Sequence, residues 1–101
     1  MKRPLRESDI EKYLVKRVKA LGGEVRKVNW IGRRGAPDRL VMLPGLATLY
    51  RTRRPQTIWI ELKAPGEKPE PHQAREHERM RKMGQRVEVV DSFERVDEVL
   101  S

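Results

Sequence analysis

Apolar residues recur at three- and four-residue steps near the start of the chain, at Ile10, Tyr13, Leu14, Val18 and Leu21. That is the period of a helix with one buried stripe. Ser8-Asp9-Ile10-Glu11 reads as a capping box at its start, with Ser8 as N-cap and Glu11 at N3, and Gly22-Gly23 stops it. The pattern then changes. Residues 24–30, carrying Val25 and Val28, predict a strand, and residues 31–36 (IGRRGA) a glycine-bounded basic loop. Residues 39–43 predict a second strand, ended by Pro44-Gly45. A short strand over 46–51 returns through 52–56 into a strand over 57–63. The return is rich in arginine and holds Pro55, which predicts an exposed edge or loop. After a Pro-rich turn at 64–71, a second helix runs over 72–83 to Gly84, a strand covers 86–90, and Asp91-Ser92 caps a last helix. Phe93, Val96, Val99 and Leu100 share one side of it. The order predicts an α/β sandwich around a small mixed sheet, one domain over residues 1–101.

A length of 101 residues fits one domain with a modest core, which dimerisation would supplement. The absence of cysteine excludes disulfides and thiolate metal sites. No stretch approaches the ~18–20 apolar residues of a membrane span, and the start of the chain lacks an apolar signal core. The expectation is a soluble, cytoplasmic protein with no membrane partner. The net charge is +8 and unevenly spread: residues 1–56 hold 15 basic and 5 acidic residues, residues 57–101 hold 8 and 10. A basic half suits a polyanion, most often nucleic acid, although a solvated basic surface would show the same composition.

Candidate chemistry sharpens this picture. Residues two apart in a strand share a face, so Glu61 and Lys63 project together from an apolar run that includes Ile58, Trp59, Ile60 and Leu62. Charges in such a strand are costly unless paired or metal-bound. Asp38 follows Gly35 and Pro37 where a loop enters the neighbouring strand, a position an ordinary turn would also explain. Two carboxylates and an amine at one sheet edge are what metal-dependent phosphodiester cleavage needs. Glu11 reaches the same edge if the first helix crosses the sheet, and a capping role explains it equally well. Gln73 shares a helix face with His77 and Met80 and could bond a metal-bound water, a phosphate or the lysine. His72 and His77, five apart, do not share a face as a zinc pair would, and His77 reads as structural. Arg33 and Arg34 suit phosphate contact. Arg51, Arg53, Arg54 and Lys68 could follow a second stretch of backbone.

The segments GRRGAPDRLVMLPG, WIELKAPGEKPEPHQAREHERM and GQRVEVVDS together resemble the VRR-NUC domain, a branch of the PD-(D/E)xK nucleases with a restriction-endonuclease-like core. The likeness extends over nearly the whole chain. Glu-x-Lys alone is weak; Gly-x-Pro-Asp, Glu-x-Leu-Lys and a glutamine after a Pro-rich turn, in that order, are specific. A restriction-endonuclease-like sandwich agrees with the order read along the chain, α, three or four strands, α, β, α, taken as α-β-β-β-α-β-α with a lengthened hairpin. The resemblance implies Asp38 and Glu61 as Mg²⁺ or Mn²⁺ ligands with the Leu62 backbone carbonyl, and Lys63 as the catalytic lysine. It also implies Glu11 as an auxiliary acid, acting directly or through water, and Gln73 as the motif glutamine. One departure is the lengthened hairpin LATLYRTRRPQT, which leaves substrate preference and any dimer contact there open. Stand-alone members are phage or bacterial proteins that dimerise and act on branched DNA.

The expectation is therefore a metal-dependent DNA endonuclease, a homodimer working on branched DNA or a Holliday junction in a bacterial or phage-infected cell. Two alternatives are a non-catalytic basic nucleic-acid-binding module and a sequence-specific restriction-type nuclease. The first does not need Asp38, Glu61 and Lys63 together. The second has little room for a recognition subdomain.

Overall fold

The computed structural model describes residues 3–101. Among these residues the order is α1 (Glu7–Ala20), β1 (Glu24–Lys27), β2 (Arg39–Leu43), β3 (Leu46–Ala47), β4 (Thr52–Arg53), β5 (Gln56–Leu62), α2 (Pro71–Lys82), β6 (Val87–Val90) and α3 (Phe93–Leu100). The main sheet runs β1-β2-β5-β6. Its first two pairings are antiparallel, and β6 joins β5 in parallel, as a strand reached through a crossover helix must. The predicted mixed sheet between helices is present. The lengthened hairpin forms its own two-stranded ribbon, β3 with β4, outside that sheet.

The two faces of the sheet differ, and the difference follows from strand alternation. Val41 lies opposite Ile58 in the β2–β5 ladder. With Ile60, Leu62 and Val90 they form one apolar cluster together with Ile10, Leu14 and Val18 of α1 and Val96, Val99 and Leu100 of α3. Each aliphatic side chain buried this way contributes about 1.5–3 kcal/mol. Arg17 and the Tyr13 hydroxyl both donate to Asp97, which ties α1 to α3 at the edge of the cluster. The opposite face carries Leu40 against Trp59, then Glu61, and it is covered by α2.

Several boundaries move. The Ser8–Glu11 capping box does not form. The helix begins earlier, at Glu7, and Asp9 at N3 accepts from the Arg6 backbone N–H at 2.9 Å while an Arg3 fork holds it at 2.6 and 2.7 Å. That leaves the Glu11 carboxylate available for another partner. β1 ends at Lys27 rather than running to residue 30, because the chain turns so that the Trp30 indole can donate to the Pro37 carbonyl at 2.8 Å. The last helix keeps its expected cap: the Ser92 hydroxyl accepts from Arg95 N–H. Among the described residues no helix is long and apolar enough to cross a membrane.

Candidate active site

The β2–β5 register pairs Arg39 with Ile60. One step further along that register Asp38 stands opposite Glu61, and on its other side the Asp38 carbonyl accepts from Val28 N–H, one step past the β1–β2 pairing. Directly opposed residues share a face, and Lys63, two residues on, shares it as well. Asp38, Glu61 and Lys63 therefore stand on the α2 side of the sheet, at one end of β2 and β5.

The approach to Asp38 is sterically set. Gly35 adopts φ +88°, and a Cβ there would lie 2.9 Å from the His72 carbonyl oxygen. Only glycine lets the loop pass this close to the start of α2. Pro37 is fully buried and its carbonyl takes the Trp30 bond, so the residue before Asp38 is fixed on both sides.

Lys63 is aimed by α2. Its ammonium donates to Gln73 Oε1 at 2.9 Å, and the same oxygen accepts the Glu70 backbone N–H at 2.8 Å. Gln73 thus closes the first turn of its own helix and holds the lysine with one atom.

Glu61 is only 8% exposed. Burial is the main reason its carboxyl is pushed up to about 7; the Asp38 and Glu7 carboxylates add to the rise, while Lys63 and Arg39 oppose it. His77, fully buried, sets Nε2 at 3.3 Å from Glu61 Oε1. Burial, and then the Arg81 cation, hold the His77 pKa below its ordinary value, so the ring favours its neutral form. The tautomer protonated at Nε2 donates to Glu61.

Glu11 meets the site through an arginine. The Arg39 guanidinium donates to Glu11 at 2.8 Å and pairs with Asp38 at 3.0 Å, bridging the two carboxylates. Among the described residues no three His, Asp or Glu side chains are grouped tightly enough to form a ready metal cage. The donor set nevertheless fits a hard divalent cation. Its oxygens are carboxylates, Asp38 and Glu61 face each other, and the Asp38 charge opposes ionisation of Glu61, which a cation between them would offset.

The candidate nucleic-acid residues divide into two sets. Arg33 is engaged internally: its fork binds buried Glu76 at 2.8 and 2.5 Å, and Arg79 holds the same carboxylate at 3.0 Å. Arg53 is half-buried and reaches the Pro44 carbonyl at 3.4 Å. Arg34, Arg51, Arg54 and Lys68 are exposed and form no ion pair among the described residues.

Sequence reasoning missed the contact roles of Arg39, Glu76 and His77. The one available signal was the shared helix face of Gln73 and His77, which brings both against the strand that carries Glu61 and Lys63.

No family model matches the chain. A protein named "Putative nuclease p44", from Acyrthosiphon pisum secondary endosymbiont phage 1, is 48% identical over 90 residues, covering 89% of this chain and 87% of that one. A solved structure titled "VRR_NUC domain" superposes with a TM-score of 0.77 at 46% identity, covering 93% of this chain and 92% of the other.

Proposed function

The chain belongs to the VRR-NUC family and is a nuclease, and from its geometry we propose a metal-dependent endonuclease that nicks branched DNA as a homodimer. The observation that carries this is Asp38 facing Glu61 across two strands, with Lys63 on the same face held by Gln73. Asp38, Glu61 and the Leu62 carbonyl would hold one magnesium or manganese ion. Bound there, the ion would offset phosphate charge and make water a better nucleophile. Glu11 would join from α1, directly or through water, once Arg39 yields it. Lys63 would set its ammonium against the non-bridging phosphate oxygens, where charge grows as water adds to phosphorus and the bond to the leaving oxygen breaks. His77 would keep the Glu61 carboxylate turned toward the site. Arg34, Arg51, Arg54 and Lys68 would contact the DNA backbone away from the reacting phosphate. The phage relative supports a setting in the cytoplasm of a bacterial or phage-infected host.

A binding module without chemistry is the less favoured reading. Two carboxylates beside phosphate repel it unless a cation lies between them. The deciding experiment incubates labelled linear, flap and four-way DNAs with Mg²⁺, Mn²⁺ or EDTA. We expect nicks in the branched substrates with either metal, none in EDTA, and none from Asp38→Ala. Tight binding without a nick under any metal would leave only the binding module.

A further inference from the structure

A cleft of about 580 Å³ opens on the face of the sheet that carries Glu61, between the basic loop and the C-terminal end of α2. Trp30 and Trp59 line it, together with Ile31, Arg33, Glu76 and Met83. These are the chain's two tryptophans, with ring centroids 5.2 Å apart and planes tilted by 47°. Each is tied to one of the two facing carboxylates. The Trp30 indole donates to the Pro37 carbonyl, next to Asp38, at 2.8 Å. Trp59 precedes Glu61 by two residues on the same strand face, about 7 Å along the strand. Ile31 and Met83 are 92% and 71% exposed, so large apolar side chains rim the cleft in water without serving the core. The Arg33 fork offsets the charge of the carboxylate in the wall, Glu76.

Resting on the nuclease reading, we propose that this cleft takes one unstacked nucleobase of the DNA strand being cut. The substrate would then be DNA with an unpaired nucleotide beside the scissile phosphate. Because Trp59 shares its strand face with Glu61 two residues on, a phosphate seated between Asp38 and Glu61 would have a neighbouring nucleotide on the side of the two indoles. Aromatic faces and an arginine accept any base by stacking, without reading its sequence. A base inside an intact duplex cannot enter, because its own neighbours already cover both of its faces. A second copy of the chain fits the cleft less well, since the cleft is concave and its loop is cationic.

The test uses the intact protein in EDTA, so that binding is read without cleavage. All the tryptophan emission comes from this cleft. Flap DNA should quench it, and a blunt duplex should bind without quenching. An abasic nucleotide, stepped one position at a time across the branch, should at one position abolish the quench and raise Kd about five- to 150-fold. Ile31→Ser with Met83→Ser, both at exposed positions, should weaken flap binding about fivefold or more and leave duplex binding unchanged. Equal quenching by blunt duplex, or no position sensitive to base removal, would overturn the proposal. So would a loss in the double variant shared equally by both DNAs, or a change in its assembly state by light scattering. The two readings fail separately: quenching without cleavage on adding Mg²⁺ or Mn²⁺ removes the nuclease mechanism, and cleavage without base-dependent quenching removes the cleft.

Discussion

Glu61 is a carboxyl that the fold makes harder to ionise, chiefly by burial, and this gives a measurable pH dependence. Its ordinary value is 4.5 and its folded value is about 7. With the folded value raised, the stability linked to its proton is fully present below about pH 4.5 and is lost as pH rises through about 7. His77, with its pKa lowered, acts in the opposite sense, so the parent must be compared with Glu61→Gln, in which His77 remains. In EDTA the variant should gain on the parent by roughly 1–3 kcal/mol between pH 5 and pH 8, read from urea unfolding at each pH. An unchanged difference across that range would mean Glu61 is solvated. Mg²⁺ or Mn²⁺ should raise the Tm of the parent and not that of the variant, because a ligand stabilises only the state that binds it. Lys63 makes a separable contribution. Lys63→Ala should abolish cleavage and leave DNA binding nearly intact, since it removes one cation from a surface rich in them. Gln73→Ala should lower kcat about 10- to 100-fold, and Gln73→Glu, which keeps an oxygen for both Lys63 and the Glu70 N–H, should restore most of it. Equal loss of binding and cleavage in Lys63→Ala would make the lysine a binding residue.

Elements carry the site only where loops meet them, and the two loop arginines differ there. Arg34→Ala should lower the salt slope of duplex binding by roughly 0.9 with no change in Tm. Arg33→Ala should instead lower Tm, because buried Glu76 would keep only Arg79 as a partner, and its salt slope should barely move. Binding titrations at several salt concentrations, set beside melting curves, separate the two effects. The sequence could not have distinguished these residues. Arg33 and Glu76 are 43 positions apart, Arg39 and Glu11 are 28 apart, and His77 and Glu61 are 16 apart. Polar pairs of this kind leave no period in a chain. The apolar stripe of α1, the buried run of β5 and the Ser92 cap were legible, because burial imposes a spacing of 3.6 or 2 and a cap demands a particular side chain. The meeting of Lys63 with Gln73 was partly legible, since a strand face and a helix face could each be read but not their docking. The start of α1 was misread: two acids, Asp9 and Glu11, could each supply N3, and the Arg3 fork, six residues away, favoured Asp9.

At the scale of the whole molecule, the hairpin between β2 and β5 bears on assembly. Both candidate carboxylates lie at the Asp38–Glu61 end of these strands, and the β3–β4 ribbon leaves from the opposite end. It therefore stands at least about 17 Å from the chemistry, the length of the five residues of β2. Its tip is held by Thr48, whose hydroxyl accepts from Arg51 N–H at 2.9 Å, and it exposes Leu49 at 88% and Tyr50 at 93%. A radius of gyration of 14.3 Å, against the ~13 Å usual for about 100 residues, fits an arm that leaves the body. Leu49 and Tyr50 lie outside the core cluster, and such an apolar tip would leave water by docking on a second copy. A closed twofold pair of this kind presents two equivalent active sites. Light scattering across a concentration series should then give about twice 11.9 kDa, and Leu49→Ser with Tyr50→Ser should shift the protein toward monomer. The nicks should follow the assembly. The parent should cut a four-way DNA at symmetric positions in related strands. The monomeric variant should nick one strand at a time, with its metal-dependent chemistry retained. A parent that scatters as a monomer at every concentration, free and bound to four-way DNA, would remove the paired-incision model and leave the single site intact.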